Sequence, residues 1–233
     1  MGGGRPVGTF LEECRRNFRQ TGAVVPSSRA LARAITAHLV PGDAPRRILE
    51  AGAGTGVFTE EIARRMGPGD VLDVYEVNPV FADHVEARLR SEPVFLAVAG
   101  RVALHRRDVL DVPPGGAYDR IVCGLPFNNF DPECVRALMD TFMSRLTPGG
   151  VFSYFEYALL RTLKQLVAPR AERERLRSVG AVTSEFIRRY QVRSDPVLLN
   201  VPPAVARHLV KPVSVTLPAA KQARPLAPAA ALR

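Results

Sequence analysis

Ile48-Leu49-Glu50-Ala51-Gly52-Ala53-Gly54-Thr55-Gly56-Val57-Phe58-Thr59 is the stretch on which the fold turns. The apolar run Arg47-Ile48-Leu49 reads as a strand that ends at an acid, Glu50. Three glycines follow at alternate positions, and a helical pattern then begins at Val57 and continues through Ile62 and Ala63. A strand, a tight glycine-rich turn and a helix N-terminus form the ligand-binding corner of an open α/β sheet. Glycine lets the backbone N–H groups approach a ligand closely, because no Cβ intervenes.

The spacing narrows the ligand. In the dinucleotide fingerprint G-x-G-x-x-G/A, the sixth position counted from Gly52 is Val57, so that match fails. What stands here, E-x-G-x-G-x-G, resembles motif I of class I S-adenosylmethionine (SAM)-dependent methyltransferases. Val71-Leu72-Asp73-Val74-Tyr75-Glu76 reads as the next strand and ends at a second acid. A carboxylate placed there can accept both ribose hydroxyls of a nucleoside.

The chain of 233 residues suits one domain with appendages and is long enough to bury a core unaided. Three cysteines (Cys14, Cys123 and Cys134) match no zinc or redox spacing, which favours a reducing, cytoplasmic setting. His38, His84, His105 and His208 form no metal-binding spacing and are read as structural; neither a Ser/His/Asp arrangement nor a P-loop is visible. No N-terminal apolar leader is seen, and no apolar run approaches the ~20 residues that span a bilayer. The formal charge of +9 and pI of about 10.2 point to an anionic partner, nucleic acid or acidic lipid headgroups.

Along the chain, Thr9 to Gln20 reads as a basic amphipathic helix, with Phe10, Leu11, Cys14 and Phe18 at helical spacing. A loop from Thr21 to Ser28 follows, and Ser27 or Ser28 caps a helix that runs through His38. After the glycine-rich corner and the Glu76 strand come a helix over 80–90 and a third strand over 102–108, ending at Asp108. A fourth strand over 118–125, a helix over 132–146 and a fifth strand over 151–157 complete the alternation. This is the signature of a doubly wound, mostly parallel sheet. Residues 158–180 read as a long basic helix. Ile187 to Arg193 and Val197 to Val201 read as a hairpin across Ser194-Asp195-Pro196, giving sixth and seventh strands. The expected architecture is a Rossmann-like, seven-stranded sheet with helices on both faces. Its divisions are an N-terminal lid (1–40), a methyltransferase domain (41–212) and a disordered Ala/Pro-rich basic tail (213–233).

Glu50, Glu76, Asp108 and the segment after Leu125 are expected to converge outside the carboxyl ends of the strands. In that last segment, Gly124-Leu125-Pro126-Phe127-Asn128-Asn129, a Pro-fixed turn with amide side chains can orient a neutral amine for in-line attack on a methyl group. Many N-methyltransferases carry [N/D/S]-x-P-[Y/F] here. Gly124 replaces the polar first residue, which is expected to remove one acceptor and widen the pocket.

Taken together, residues 10–33 with Thr-Gly-Ala-Val-Val-Pro-Ser-Ser, then Glu-Ala-Gly-Ala-Gly-Thr-Gly, then Gly-Leu-Pro-Phe-Asn-Asn resemble the bacterial phospholipid N-methyltransferases. Phe152-Ser153-Tyr154-Phe155-Glu156-Tyr157 and Asn200-Val201-Pro202-Pro203-Ala204 fit the same family. The resemblance implies SAM as cofactor, held by Glu50, Gly52, Ala53, Gly54, Thr55, Gly56, Glu76, Val77, Asp108, Val109, Gly124 and Leu125. It implies a peripheral enzyme at the inner face of the membrane that methylates the amino headgroup of phosphatidylethanolamine, in successive steps toward phosphatidylcholine, and it leaves open an aminolipid of another kind, such as an ornithine lipid. Asn128, Asn129, Tyr154 and Glu156 become the catalytic candidates, the last two (with Tyr157) as holders of the ammonium. Strand alternation sends Tyr154 and Glu156 to one face and Tyr157 to the other. The N-terminal helix and the basic 158–177 stretch would face the bilayer, and no metal is expected. Two rivals stand beside this reading: an enzyme like the rRNA adenine N6-dimethylases, and a SAM- or membrane-binding module without turnover.

Overall fold

The computed structural model describes residues 27–213 except 41, 43, 115–116 and 159–167. The expected helix over 9–20, most of the 21–28 loop and the tail after Val213 lie outside the described residues. Helix α1 (Arg29–Ile35) starts at Ser28, whose Oγ accepts the Leu31 N–H at 3.2 Å, and it is shorter than the expected run to His38. Then follow β1 (Arg47–Ala51), α2 (Val57–Arg65), β2 (Val71–Tyr75), α3 (Pro79–Ser91) and the one-turn α4 (Pro93–Leu96). The chain continues through β3 (Val102–His105), β4 (Tyr118–Cys123), α5 (Pro132–Arg145) and β5 (Leu146–Tyr157). It closes with α6 (Arg170–Tyr190), β6 (Gln191–Val197) and β7 (Ala204–Val210).

The seven strands form one sheet in the order β3-β2-β1-β4-β5-β7-β6, with only β7 antiparallel to its neighbours. This is the Rossmann-like methyltransferase architecture that the alternation of strands and helices predicts. The central strands are apolar on both faces because helices cover both. Leu49, Ile121 and Phe152 pack with Leu138 and Phe142 of α5 and Phe186 of α6 on one side. Ile48, Val122 and Phe155 pack with Leu31 of α1 and Ile62 of α2 on the other. The strand order reverses between β1 and β4, the switch point at which such sheets bind ligands.

Four local expectations are corrected. First, β3 stops at His105, and Asp108 lies beyond it as the cap of a 3₁₀ turn, its Oδ1 accepting the Leu110 N–H at 2.9 Å. Second, β5 begins at Leu146 rather than Val151. The register jumps from Tyr118↔Leu146 to Arg120↔Val151, so residues 147–150, between the expected helix and the expected strand, form an irregularity within β5. Third, the helix after β5 runs over 170–190, later than the expected 158–180, of which 159–167 is not described. Leu176, Val179, Val182, Thr183 and Phe186 are its buried stripe at helical spacing, so Ile187 to Tyr190 are helical rather than extended. Fourth, Ser194-Asp195-Pro196 is not a hairpin tip but lies inside β6, paired with Arg207, Ala206 and Val205 of β7. The turn between the two strands falls at 198–203, and the seventh strand is Ala204–Val210. Pro196 is tolerated because β6 is an edge strand.

Candidate active site

At the end of β1 the alternate glycines are explained by backbone geometry. Gly52, Gly54 and Gly56 have φ of 75°, 54° and 78°, in the left-handed region that side-chain-bearing residues rarely adopt. Gly56 in that conformation starts α2 without a side-chain cap. The turn is held from outside by Arg88 of α3, which donates to the Thr55 carbonyl at 2.8 Å while pairing with Glu60 and Glu92. Only Glu92, four residues on, is local; Thr55 and Glu60 lie on the glycine turn and α2, so the local sequence does not mark Arg88 for this task.

Glu76 follows β2 and is buried beside this turn. Its Oε2 accepts the Gly54 N–H at 2.9 Å and its Oε1 the Asn78 N–H at 2.8 Å. Burial raises its pKa, and the same N–H groups oppose the rise. A pocket opens between Gly52, Glu76, Val77, Asp108, Val109 and Leu125, with the Tyr75 ring and Arg107 completing its wall. The Arg107 guanidinium sits over the Tyr75 ring, 5.6 Å from its centroid. Arg107 was not recognisable as a lining residue because it precedes Asp108 in what reads as a plain basic run.

Glu50 lies under the glycine turn, fully buried. Neither carboxylate oxygen makes an aligned hydrogen bond, although the Thr59 hydroxyl and N–H lie close enough to favour its charge. Burial, with the nearby Glu76 charge adding to it, pushes the Glu50 pKa up to about 8. A buried carboxylate with unused acceptors is costly unless something cationic or hydrogen-bonding completes it. Three left-handed glycines, the Glu76 carboxylate just past β2 and the orphaned Glu50 carboxylate under the turn fit a cationic amino-acid nucleoside, which is what SAM is.

The turn after β4 borders the same place. The Gly124 N–H bonds the Ala51 carbonyl at 2.8 Å, drawing the ends of β1 and β4 together. The expectation that Gly124 widens the pocket is corrected. A Cβ at this position would drive into the Gly52 carbonyl oxygen, so glycine here serves close backbone approach. A Cβ at Gly52 would likewise meet the Leu125 side chain at 2.5 Å.

Just past Leu125 a second pocket is lined by Pro126, Phe127 and Asn128, by Phe155, Glu156 and Tyr157 at the end of β5, and by Val179 and Thr183 of α6. Among the sequence-predicted candidates, Asn128 and Glu156 meet here. Asn129 is exposed and does not line the pocket. Tyr154 is fully buried, its ring 5.1 Å from Phe127 and 5.4 Å from Phe152, and it stays behind the pocket wall. Burial, and secondarily the Glu156 charge, hold its phenol well above the usual range, so it stays protonated. Alternation along β5 holds for the core, yet the pocket at the strand's end reaches both Glu156 and Tyr157. Glu156 is already engaged, pairing with Arg207 of β7 at 2.7 Å. Arg175 of α6 donates to the Asn128 carbonyl at 2.8 Å and the Phe130 carbonyl at 2.6 Å, with Glu172 pairing it from one turn away.

Among the described residues no group of three or more His, Cys, Asp or Glu could hold a metal, and no helix is long and apolar enough to cross a membrane. A Ser/His/Asp contact set does exist, contrary to expectation. His208 touches Ser153 at 2.8 Å and Asp195 at 3.2 Å, but it is fully buried between β5 and β6, with no access for a substrate.

The Methyltransferase domain family matches residues 48–150. An ornithine lipid N-methyltransferase from Singulisphaera acidiphila is 31% identical over 147 residues, covering 62% of this chain and 74% of that protein. The chain belongs to the SAM-dependent methyltransferases. This methyltransferase is also 34% identical over 115 residues to a magnesium-protoporphyrin O-methyltransferase from Rhodobacter capsulatus, covering 49% of this chain and 46% of that one. In fold it is similar to the O-methyltransferase TomG from Streptomyces achromogenes, solved in complex with SAM. There the TM-score is 0.58 at 19% identity, over 90% of this chain and 91% of that chain. The cofactor of the methyltransferase is therefore SAM.

Proposed function

We propose that this methyltransferase transfers methyl groups to the amine of a membrane aminolipid headgroup, with phosphatidylethanolamine as the expected substrate and an ornithine lipid as the other acceptor. The observation that carries the reading is the pairing of a 31% identical ornithine lipid N-methyltransferase with a second pocket directly beside the SAM pocket. The cofactor supplies an electrophilic methyl on a sulfonium centre. Glu50, Gly52, Ala53, Gly54, Thr55 and Gly56 hold its amino-acid end, Glu76 and Val77 its ribose, and Asp108 and Val109 its base, with Gly124 and Leu125 closing the crevice.

The chain's own contribution on the acceptor side is positional. Asn128, fixed through its carbonyl by Arg175, turns a neutral amide toward the amine, accepting a hydrogen bond without stabilising a full positive charge. Glu156 attracts the incoming ammonium. Its pairing with Arg207 moderates that attraction, so the amine can lose its proton to solvent before attack. Asn129 and Tyr154 act by supporting the turn and the wall. The N-terminal segment and the basic stretch after Tyr157 are proposed to meet the anionic inner face of the membrane.

Transfer of labelled methyl from SAM tests the proposal, comparing vesicles of phosphatidylethanolamine with anionic lipid against total RNA. Label in the lipid, abolished by Gly52→Val, supports it. Label in RNA and none in phosphatidylethanolamine or ornithine lipid overturns it.

A further inference from the structure

The turn joining β6 to β7 reads Leu198-Leu199-Asn200-Val201-Pro202-Pro203 and carries no charge. Leu198, Leu199 and Val201 are 79%, 83% and 80% exposed. This exposure is built in. Asn200, between them, is buried, its Oδ1 accepting the Ser28 N–H at 2.9 Å and its Nδ2 donating to the Pro202 carbonyl at 2.7 Å. The Ala158 N–H donates to the Pro203 carbonyl at 2.8 Å. With its one polar side chain tied inward, the turn holds its three aliphatic side chains outward on a fixed base. Scattered single apolar residues on a surface need no explanation, but a cluster held out in this way does.

Its place matters. Val197, Ala204 and Tyr157 form the last paired row of β6, β7 and β5, and the turn projects beyond that row. That is the carboxyl-end rim of the sheet, where Glu156 and Tyr157 line the second pocket. An apolar knuckle beside the mouth of an acceptor site is suited to dip into the layer from which the acceptor is drawn.

We propose that Leu198, Leu199 and Val201 insert into an anionic phospholipid bilayer and set the second pocket at headgroup depth. The choice of a bilayer rests on the lipid reading above together with the formal charge of +9, which complements anionic headgroups. The turn supplies the apolar part of the contact and the chain's charge the electrostatic part.

The test uses the full chain and vesicles of phosphatidylethanolamine and phosphatidylglycerol, read by sedimentation. Leu198→Ser/Leu199→Ser is expected to bind vesicles at least about tenfold more weakly, the loss that follows from removing two buried leucines. Its unfolding midpoint and SAM binding should match wild type, because both side chains lie outside the core. The chain contains no tryptophan. Leu199→Trp therefore introduces a single indole, whose emission should shift to the blue on vesicle addition. Unchanged binding of the double variant, or an indole that stays in water, overturns the proposal, as does wild-type protein that does not sediment with vesicles. A wild-type dimer that the double variant dissociates would also overturn it and assign the surface to a second copy. Failure of the lipid reading is separable: vesicle insertion without methyl transfer to any aminolipid would leave the surface standing and remove the substrate.

Discussion

The carbonyl oxygen of Gly52 occupies the space in which a side chain at Gly124 would begin. Each residue directly follows a central strand, and the Gly124 N–H to Ala51 carbonyl bond holds the two ends at this separation. The close approach joins the glycine turn after β1 to the Pro126 turn after β4, so a fault in one displaces the other.

Gly124→Ser, which restores a polar residue at the first position of the N-methyltransferase pattern, should therefore impair the enzyme rather than improve it. Overpacking against backbone costs about 1–3 kcal/mol. We expect a lower melting temperature and weaker SAM binding, measured by thermal unfolding and calorimetric titration. A variant that binds SAM as tightly as wild type would contradict this.

Glu50 predicts a pH dependence. Its carboxyl titrates from about 8 in the folded protein. The unfolded chain releases this proton near the ordinary value of about 4.3, so the native state holds the extra proton in between. Stability attributable to Glu50 is thus present at low pH and lost as pH rises through about 8. Glu50→Gln should flatten this decline in ligand-free protein and raise stability above about pH 8 by roughly 2 kcal/mol or more. It should also lower SAM affinity. Urea unfolding across pH, with and without SAM, measures both effects.

His208 predicts the opposite slope. Burial, reinforced by His38 and only partly opposed by Asp195, holds its pKa down to about 4. The unfolded chain takes up a proton near the ordinary value of about 6.5 while the native protein does not. Stability is therefore lost as pH falls from about 6.5 toward about 4, by roughly 3 kcal/mol in full. The direction of the His38 shift adds to this loss. Because Glu50 contributes an opposite slope over the same range, the effect is read as the difference in urea unfolding between wild type and His208→Gln from neutral pH to about pH 5.

Arg175 should behave as a positioning residue. Arg175→Ala removes the Arg175 bonds to the Asn128 and Phe130 carbonyls and loosens the turn after β4. Methyl transfer should fall about 10- to 100-fold, with SAM affinity unchanged, at a stability cost of about 1–2 kcal/mol. Arg175→Lys should recover only part of the rate, since an ammonium lacks the fork that spans two carbonyls. Equal loss of SAM binding would assign Arg175 a general structural role instead.

The strand-turn-helix from Arg47 to Arg65 was legible in full because its information is local. Apolar run, left-handed glycines and helix pattern lie within twenty residues, and each names its own conformation. Glu76 was legible too, since the second strand must end beside the first in a parallel sheet. The β6–β7 boundary was misread. Ile187 to Tyr190 are helical because they continue a helix held by the burial of Val179, Val182 and Phe186, and the pairing of Pro196 comes from its place on an edge strand. Neither is written in the neighbouring residues.

By itself, then, the sequence determined the sheet class, the glycine-rich turn and the placing of Glu50 and Glu76 beside it, because period and turn chemistry act over a few residues. Only the tertiary structure decided that Gly124 is a close-contact residue, that Arg88 and Arg175 hold the two turns, that Glu156 is paired while Tyr154 is sealed away, and that Leu198, Leu199 and Val201 face outward. Each of these depends on atoms brought together from distant parts of the chain, and burial, charge pairing and steric exclusion exist only once those atoms meet.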